Sequence, residues 1–158
     1  QLLERLVGRL DRPVDPPYQR LVLLVQQEVA RRISARPGQS SFSALSVRMQ
    51  LLAECHSVCP VPPRCFQPPP KVQSEVISLD PRPVNERLPH AVAKQLEHLL
   101  RIAFGARRKM IRNTLASAAP ACGLDSWLDD AGVTPQQRPQ EIAPQQWVAL
   151  AAALQPAL

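Results

Sequence analysis

Leu2, Leu3, Leu6, Val7 and Leu10 recur at helical spacing with Glu4, Arg5 and Arg9 on the other side, which predicts an amphipathic helix over residues 1–10. Pro13, Pro16 and Pro17 end it. Leu21 to Val25 is an unbroken apolar run between Gln19-Arg20 and Gln26, the pattern of a strand covered on both faces, as in α/β sheets. From Glu28 to Ala35 the pattern is helical again until Pro37-Gly38 breaks it. Ser43 or Ser46 caps a further helix that carries Leu45, Val47, Leu51 and Leu52 to about Glu54. His56 to Val61 has strand character, confined to an edge or an early end by Pro60, Pro62 and Pro63. Val72, Ser74, Val76 and Ser78 alternate with Gln73, Glu75, Ile77 and Leu79, as in a strand that closes the layer.

Asp80 to Pro89, with three prolines and several charges, is the expected boundary, dividing the chain into an α/β part, 1–82, and a helical part, 83–158. Val92, Leu96, Leu99, Leu100 and Ala103 follow one helix face, and Gly105 is expected to stop that helix with a left-handed cap. A basic helix from Arg107 to about Ala116 comes next, anchored by Phe104, Met110, Ile111 and Leu115. Leu124 to Ala131 and Ala143 to Leu154 complete a small all-α domain, the last helix with Pro144 in its first turn.

Composition sharpens this picture in two places. The chain has 158 residues, 45% of them hydrophobic, enough for a real core, but only 4% are aromatic, so that core is built from Leu, Val, Ile and Ala. Eighteen prolines against five glycines favour stiff connections. Charge is also uneven: the total is +6, and residues 90–115 hold Lys94, Arg101, Arg107, Arg108, Lys109 and Arg112 against the single anion Glu97. Such a field attracts a polyanion, although a charge run is also the ordinary signature of a solvated face.

Several kinds of chemistry have no support. The five glycines are scattered at 8, 38, 105, 123 and 132, so no phosphate-cradling or dinucleotide loop can be drawn, and no G-x-S-x-G or H-E-x-x-H occurs. Cys55, Cys59, Cys65 and Cys122 have neither zinc-site nor disulfide-framework spacing, and His56, His90 and His98 add no ligand pattern, so reduced packing thiols and no metal are expected. The longest apolar runs, Leu21 to Val25 and Val148 to Leu154, are far short of the roughly 20 residues that span a bilayer. No signal-peptide pattern opens the chain, and its start within a helical pattern without Met leads us to expect a fragment. A cytoplasmic, monomeric protein is the expectation.

Two features remain. Cys65-Phe66-Gln67-Pro68-Pro69-Pro70-Lys71 sets an aromatic beside a proline run, so that a stiff loop presents Phe66 as a stacking partner for a base taken out of its helix. The cations Arg107, Arg108, Lys109 and Arg112 supply phosphate contacts. Taken singly, Phe66 is more commonly a core residue and the cations a solvated face.

These residues also carry a resemblance. Phe66 to Ser74 resembles the F-x-P-x-P-x-V-x-S signature of rRNA adenine dimethyltransferases of the KsgA type, and Phe104 to Leu115 resembles their A-F-x-x-R-R-K-x-L-R-N-N-L. Gln27 to Gly38 with Leu45-Ser46-Val47, and Glu141 to Leu154, are similar to further segments, in family order. The resemblance implies the C-terminal part of a Rossmann-like methyltransferase sheet followed by a small helical rRNA-binding domain. It implies transfer of methyl groups from S-adenosylmethionine to the exocyclic amines of two adjacent adenines of small-subunit (16S) rRNA, with a 30S assembly intermediate as partner. Phe66 takes the base-stacking role, and Arg107, Arg108, Lys109, Arg112, Asn113 and Lys71 take RNA contacts. The family's cofactor glycines, acidic ribose-binding residue and N-[IL]-P-[YF] motif have no counterpart in this chain and are expected upstream of Gln1, which would leave the isolated fragment inactive. Gln73, Glu75 and Thr114 depart from the family's usual residues. The alternative is a non-catalytic RNA-binding or ribosome-assembly module of the same fold.

Overall fold

The computed structural model describes residues 2–154, so Gln1 of the first expected helix lies outside the described residues. The fold is mixed α/β, with two small sheets and seven helices among the described residues. Helix α1, Leu2–Val7, is shorter than the 1–10 pattern predicts. Gly8 ends it with φ +85, a conformation that disfavours side chains, and a Cβ there would lie 2.9 Å from the Val14 nitrogen. The chain instead reverses into a hairpin, β1 (Gly8–Arg9) against β2 (Arg12–Pro13). Arg87 closes over it: its Nε donates to the Arg82 carbonyl at 3.1 Å, while both terminal nitrogens are buried without a partner. Burial lowers the pKa of this guanidinium, against the opposing charges of Asp15 and Tyr18.

The main sheet has the order β3-β5-β4, formed by β3 (Leu21–Gln26), β4 (Ala53–Val61) and β5 (Ser74–Pro81). Strand β5 is antiparallel to both neighbours, so β3 and β4 run parallel to each other, linked by α2 (Gln27–Ser34) and α3 (Ala44–Leu52). Two expectations change here. Strand β5 is the middle of the sheet instead of its closing edge, and β3 is not covered on both faces: Val22 and Leu24 are 62% and 52% exposed. The cause is one-sided packing, because α2 and α3 cover the face of Ile77 and Leu79, whereas Val22 and Leu24 lie opposite Ser78 and Val76 on the other face. Strand β4 is an edge, as its prolines predict, and is irregular between Ser57 and Cys59.

Ser43 is the cap of α3, its amide donating to Ser46 Oγ at 2.9 Å. Helix α4 (His90–Gly105) buries Ala93, Leu96, Leu99, Leu100 and Ala103, the face its sequence predicts. Gly105 lies inside the helix and is not left-handed; the chain leaves through Ala106 at φ −132. Short helices α5 (Ile111–Thr114) and α6 (Leu124–Asp130) and the closing α7 (Pro144–Ala152, with Pro144 in its first turn) complete the fold. Trp127 of α6 and Trp147 of α7 are both buried; the Trp127 indole donates to the Leu150 carbonyl at 3.0 Å, and the Trp147 ring lies 5.8 Å from that of Phe104. Buried residues from both halves of the chain form one cluster, and Arg48 of α3 grips Glu97 of α4 across it. Among the described residues no helix is long and apolar enough to cross a membrane.

Candidate nucleic-acid interface

The cationic segment is not the helix its spacing predicts. Arg107, Arg108 and Lys109 occupy a turn after α4, and only Ile111–Thr114 form one helical turn beyond it. Of the expected anchors, Ile111 and Leu115 are fully buried, but Met110 is 38% exposed. The turn is pinned from outside. Ile111 donates its amide to the Gln137 carbonyl at 2.7 Å and Arg112 to Pro135 at 3.2 Å, while Lys109 closes the turn on Ala106 at 2.8 Å. Fixed backbone and free side chains are what phosphate binding needs: Arg108, Lys109, Arg112 and Asn113 are exposed, and none forms an ion pair among the described residues. Arg107 is half-buried, donating to the Ser40 carbonyl at 2.7 Å and so joining the turn to the α2–α3 loop.

Phe66 follows a 3-10 turn, Pro63–Cys65, and its amide donates to the Pro63 carbonyl at 3.1 Å. The ring is half-buried and takes no part in the hydrophobic cluster, and exposed Gln67, Pro68, Pro69 and Lys71 follow it. An aromatic held at the surface by a stiff loop keeps a face for stacking. Phe66 and the cationic turn stand apart. The Phe66 loop joins β4 to β5 at the end of the sheet where Gln27 donates its amide to Gln73, whereas the turn touches Ser40 beyond the far end of α2. The eight residues of α2, roughly 12 Å of helix, run between these two ends.

A methyl-donor pocket is not built from these residues. Such a cofactor needs backbone amides or a carboxylate converging in a closed cleft, yet Asp125 and Asp129 line an open cleft, and the other carboxylate-bearing clefts set Glu54 beside Arg36 and Arg82, and Glu97 beside Arg48. Gly38 and Gly123 face open space, so neither lines a close backbone approach. Glu54, His56 and Asp80 bring ligand-type atoms within 4.8 Å of one another. Asp80 is already engaged: Arg20 donates to both its oxygens, at 2.7 and 2.8 Å, and those hydrogen bonds hold its carboxyl below the ordinary value. All four cysteines are free; Cys55 is half-buried while Cys59, Cys65 and Cys122 are exposed, so the expected packing of thiols holds for one of them. Sequence patterning missed Arg31 and Arg36, which flank the α2–α3 loop; the Arg31-Arg32 pair ahead of Pro37-Gly38 was the available signal.

Residues 2–155 match the family described as ribosomal RNA adenine dimethylase. The chain is 87% identical over 157 residues to ribosomal RNA small subunit methyltransferase A of Synechococcus sp. (strain RCC307), covering 99% of this chain and 57% of that protein. It is 71% identical to the protein of the same name from Parasynechococcus marenigrum (strain WH8102), covering 97% of this chain and 51% of that one. The chain thus spans little more than half the length of these relatives. Among solved structures, a dimethyladenosine transferase from Plasmodium falciparum superposes with a TM-score of 0.66 at 23% identity, over 85% of this chain and 56% of that one. The 23S rRNA methyltransferase ErmE superposes with a TM-score of 0.62 at 29% identity, over 86% and 55%. With the family matched across almost every described residue and a relative at 87% identity, this chain belongs to the ribosomal RNA adenine dimethylase family.

Proposed function

We propose that this chain is the base-stacking and RNA-gripping part of an S-adenosylmethionine-dependent rRNA adenine N6,N6-dimethyltransferase that modifies two adjacent adenines of small-subunit (16S) rRNA during ribosome assembly. The observation that carries the proposal is Phe66, an aromatic excluded from the core and held at the end of the sheet by a proline-rich loop. The name of the 87% identical relative supports the small subunit as substrate. S-adenosylmethionine, where bound, supplies the methyl group; the described residues form no closed cleft for it, so its pocket is assigned to the part of the relatives' length that this chain does not span. This chain's own contribution is positional. Phe66 stacks on the extruded adenine and fixes the plane of its exocyclic amine, Lys71 meets a phosphate beside it, and Arg107, Arg108, Lys109, Arg112 and Asn113 hold the backbone about one helix length away.

The reading extends to a monomer working in the cytoplasm on a 30S assembly intermediate, in keeping with the net charge of +6. Residues 1–82 belong to the catalytic domain and 83–158 to the rRNA-binding domain. The test is transfer of labelled methyl groups to unmethylated small subunits by the full-length gene product and its Phe66→Ala variant. Stacking is worth about 1–3 kcal/mol per base, so turnover should fall roughly 5- to 150-fold, with Phe66→Tyr restoring most of it. Wild-type turnover by Phe66→Ala would remove Phe66 from the site. No transfer by the wild type, with RNA binding retained, would turn the reading to the non-catalytic module.

A further inference from the structure

Beyond the cationic turn lies a second positive surface. The end of α2 and the loop after it enclose an open cleft of about 520 Å³ lined by Arg31, Ser34, Arg36, Gln39, Ser40 and Ser41, with no carboxylate on its walls. Neighbouring Arg32 is neutralised by Glu28, but Arg31 and Arg36 form no ion pair among the described residues. The loop that carries the cleft is tied down on both sides. Arg36 donates its amide to the Gln39 side chain at 2.8 Å, Gly38 donates to the Gln140 carbonyl at 2.7 Å, and Arg107 donates to the Ser40 carbonyl. Ser40 therefore belongs both to the cleft and to the seat of the Arg107 turn, which makes the two cationic surfaces continuous.

We propose that Arg31 and Arg36 form a second phosphate-binding patch, which carries the RNA backbone from the Arg107–Arg112 turn along the end of α2 towards the Phe66 loop. This rests on the RNA-binding reading above and adds a partner surface in the α/β half of the chain. Two guanidiniums without ion pairs, four hydroxyl-bearing or amide side chains and no carboxylate on the cleft's own walls suit a sugar-phosphate backbone, and a fixed loop spares the ordering cost on binding. The position of the patch also fits, because α2 is the element that separates the stacking residue from the cationic turn.

The test is binding of a labelled mixed-sequence RNA hairpin by the full-length gene product over a potassium chloride series. Each neutralised phosphate contributes roughly 0.7–0.9 to the log–log salt slope, so Arg31→Ala with Arg36→Ala should make the slope shallower by about 1.4–1.8. Arg32→Ala, which removes a cation already paired, should leave the slope unchanged, and Arg31→Lys with Arg36→Lys should recover it. An unchanged slope in the Arg31/Arg36 alanine pair, while Arg107→Ala with Arg108→Ala lowers it, would overturn the second patch and leave the first standing. No change in either pair would overturn both. A lost slope that the lysine pair fails to recover would also overturn the proposal, since charge would not be the cause.

Discussion

Arg48 and Glu97 join the two halves of the chain, and breaking their contact measures how firmly the halves are coupled. Arg48 Nε lies 2.9 and 3.0 Å from the two Glu97 oxygens, and its Nη2 donates at 2.8 Å. The side chains are 34% and 18% exposed, between the surface and buried limits. At an effective dielectric of 20 and about 4 Å the gross attraction is roughly 4 kcal/mol. Ordering the arginine costs up to about 2 kcal/mol, and partial desolvation takes more, which leaves about 1–1.5 kcal/mol of coupling, above the 0.2–1 typical of exposed pairs. The assay is a double-mutant cycle of Arg48→Met and Glu97→Gln in urea at low and at half-molar salt. Each single variant should be destabilised, the double by less than their sum, and the coupling should shrink only partly in salt. Coupling below about 0.3 kcal/mol, or two separate unfolding transitions, would refute the claim that this contact links the halves into one cooperative unit.

Three further outcomes follow from which side chains are buried. Leu79 is fully buried on the middle strand, so Leu79→Ala should cost about 2–5 kcal/mol of unfolding free energy in denaturant titration. Burial pushes the Cys55 thiol up to about 12 from its ordinary 9.0, so the folded state keeps a proton that the unfolded chain releases. The resulting stability is complete below pH 9 and is lost as pH rises towards 12; the urea midpoint should drop over that range more in the wild type than in Cys55→Ala. At pH 8 a thiol reagent should modify exposed Cys59, Cys65 and Cys122 well before Cys55.

Periodic apolar faces were the most legible part of the sequence. Leu96, Leu99, Leu100 and Ala103 point inward as their spacing predicts, because a long amphipathic helix has only one way to bury such a stripe. Short segments were harder. Arg107 to Arg112 fit a helical wheel, yet the backbone there is set by partners at Pro135 and Gln137, more than twenty residues on, which no local pattern contains. Leu21 to Val25 matched a doubly buried strand, but an apolar run cannot state whether its second face meets anything among the residues described. The place of Phe66 outside the core was legible because its neighbours are prolines, which constrain the backbone without help from elsewhere. The Arg31 and Arg36 cleft was not, since the loop that forms its wall is tied down by Gln140 and Arg107, both far away in sequence.

Strand order has a consequence in time. Strands β3 and β4 touch only through β5, which is the last of the three to be made. A ribosome synthesising this chain releases Leu21 to Val61 before Ser74–Pro81 exist to pair with them, and at about 5–20 residues per second the interval lasts seconds. Throughout it the backbone N–H and C=O groups of both outer strands lack the partners that β5 supplies. The nascent protein is therefore most in need of a chaperone before its middle strand emerges.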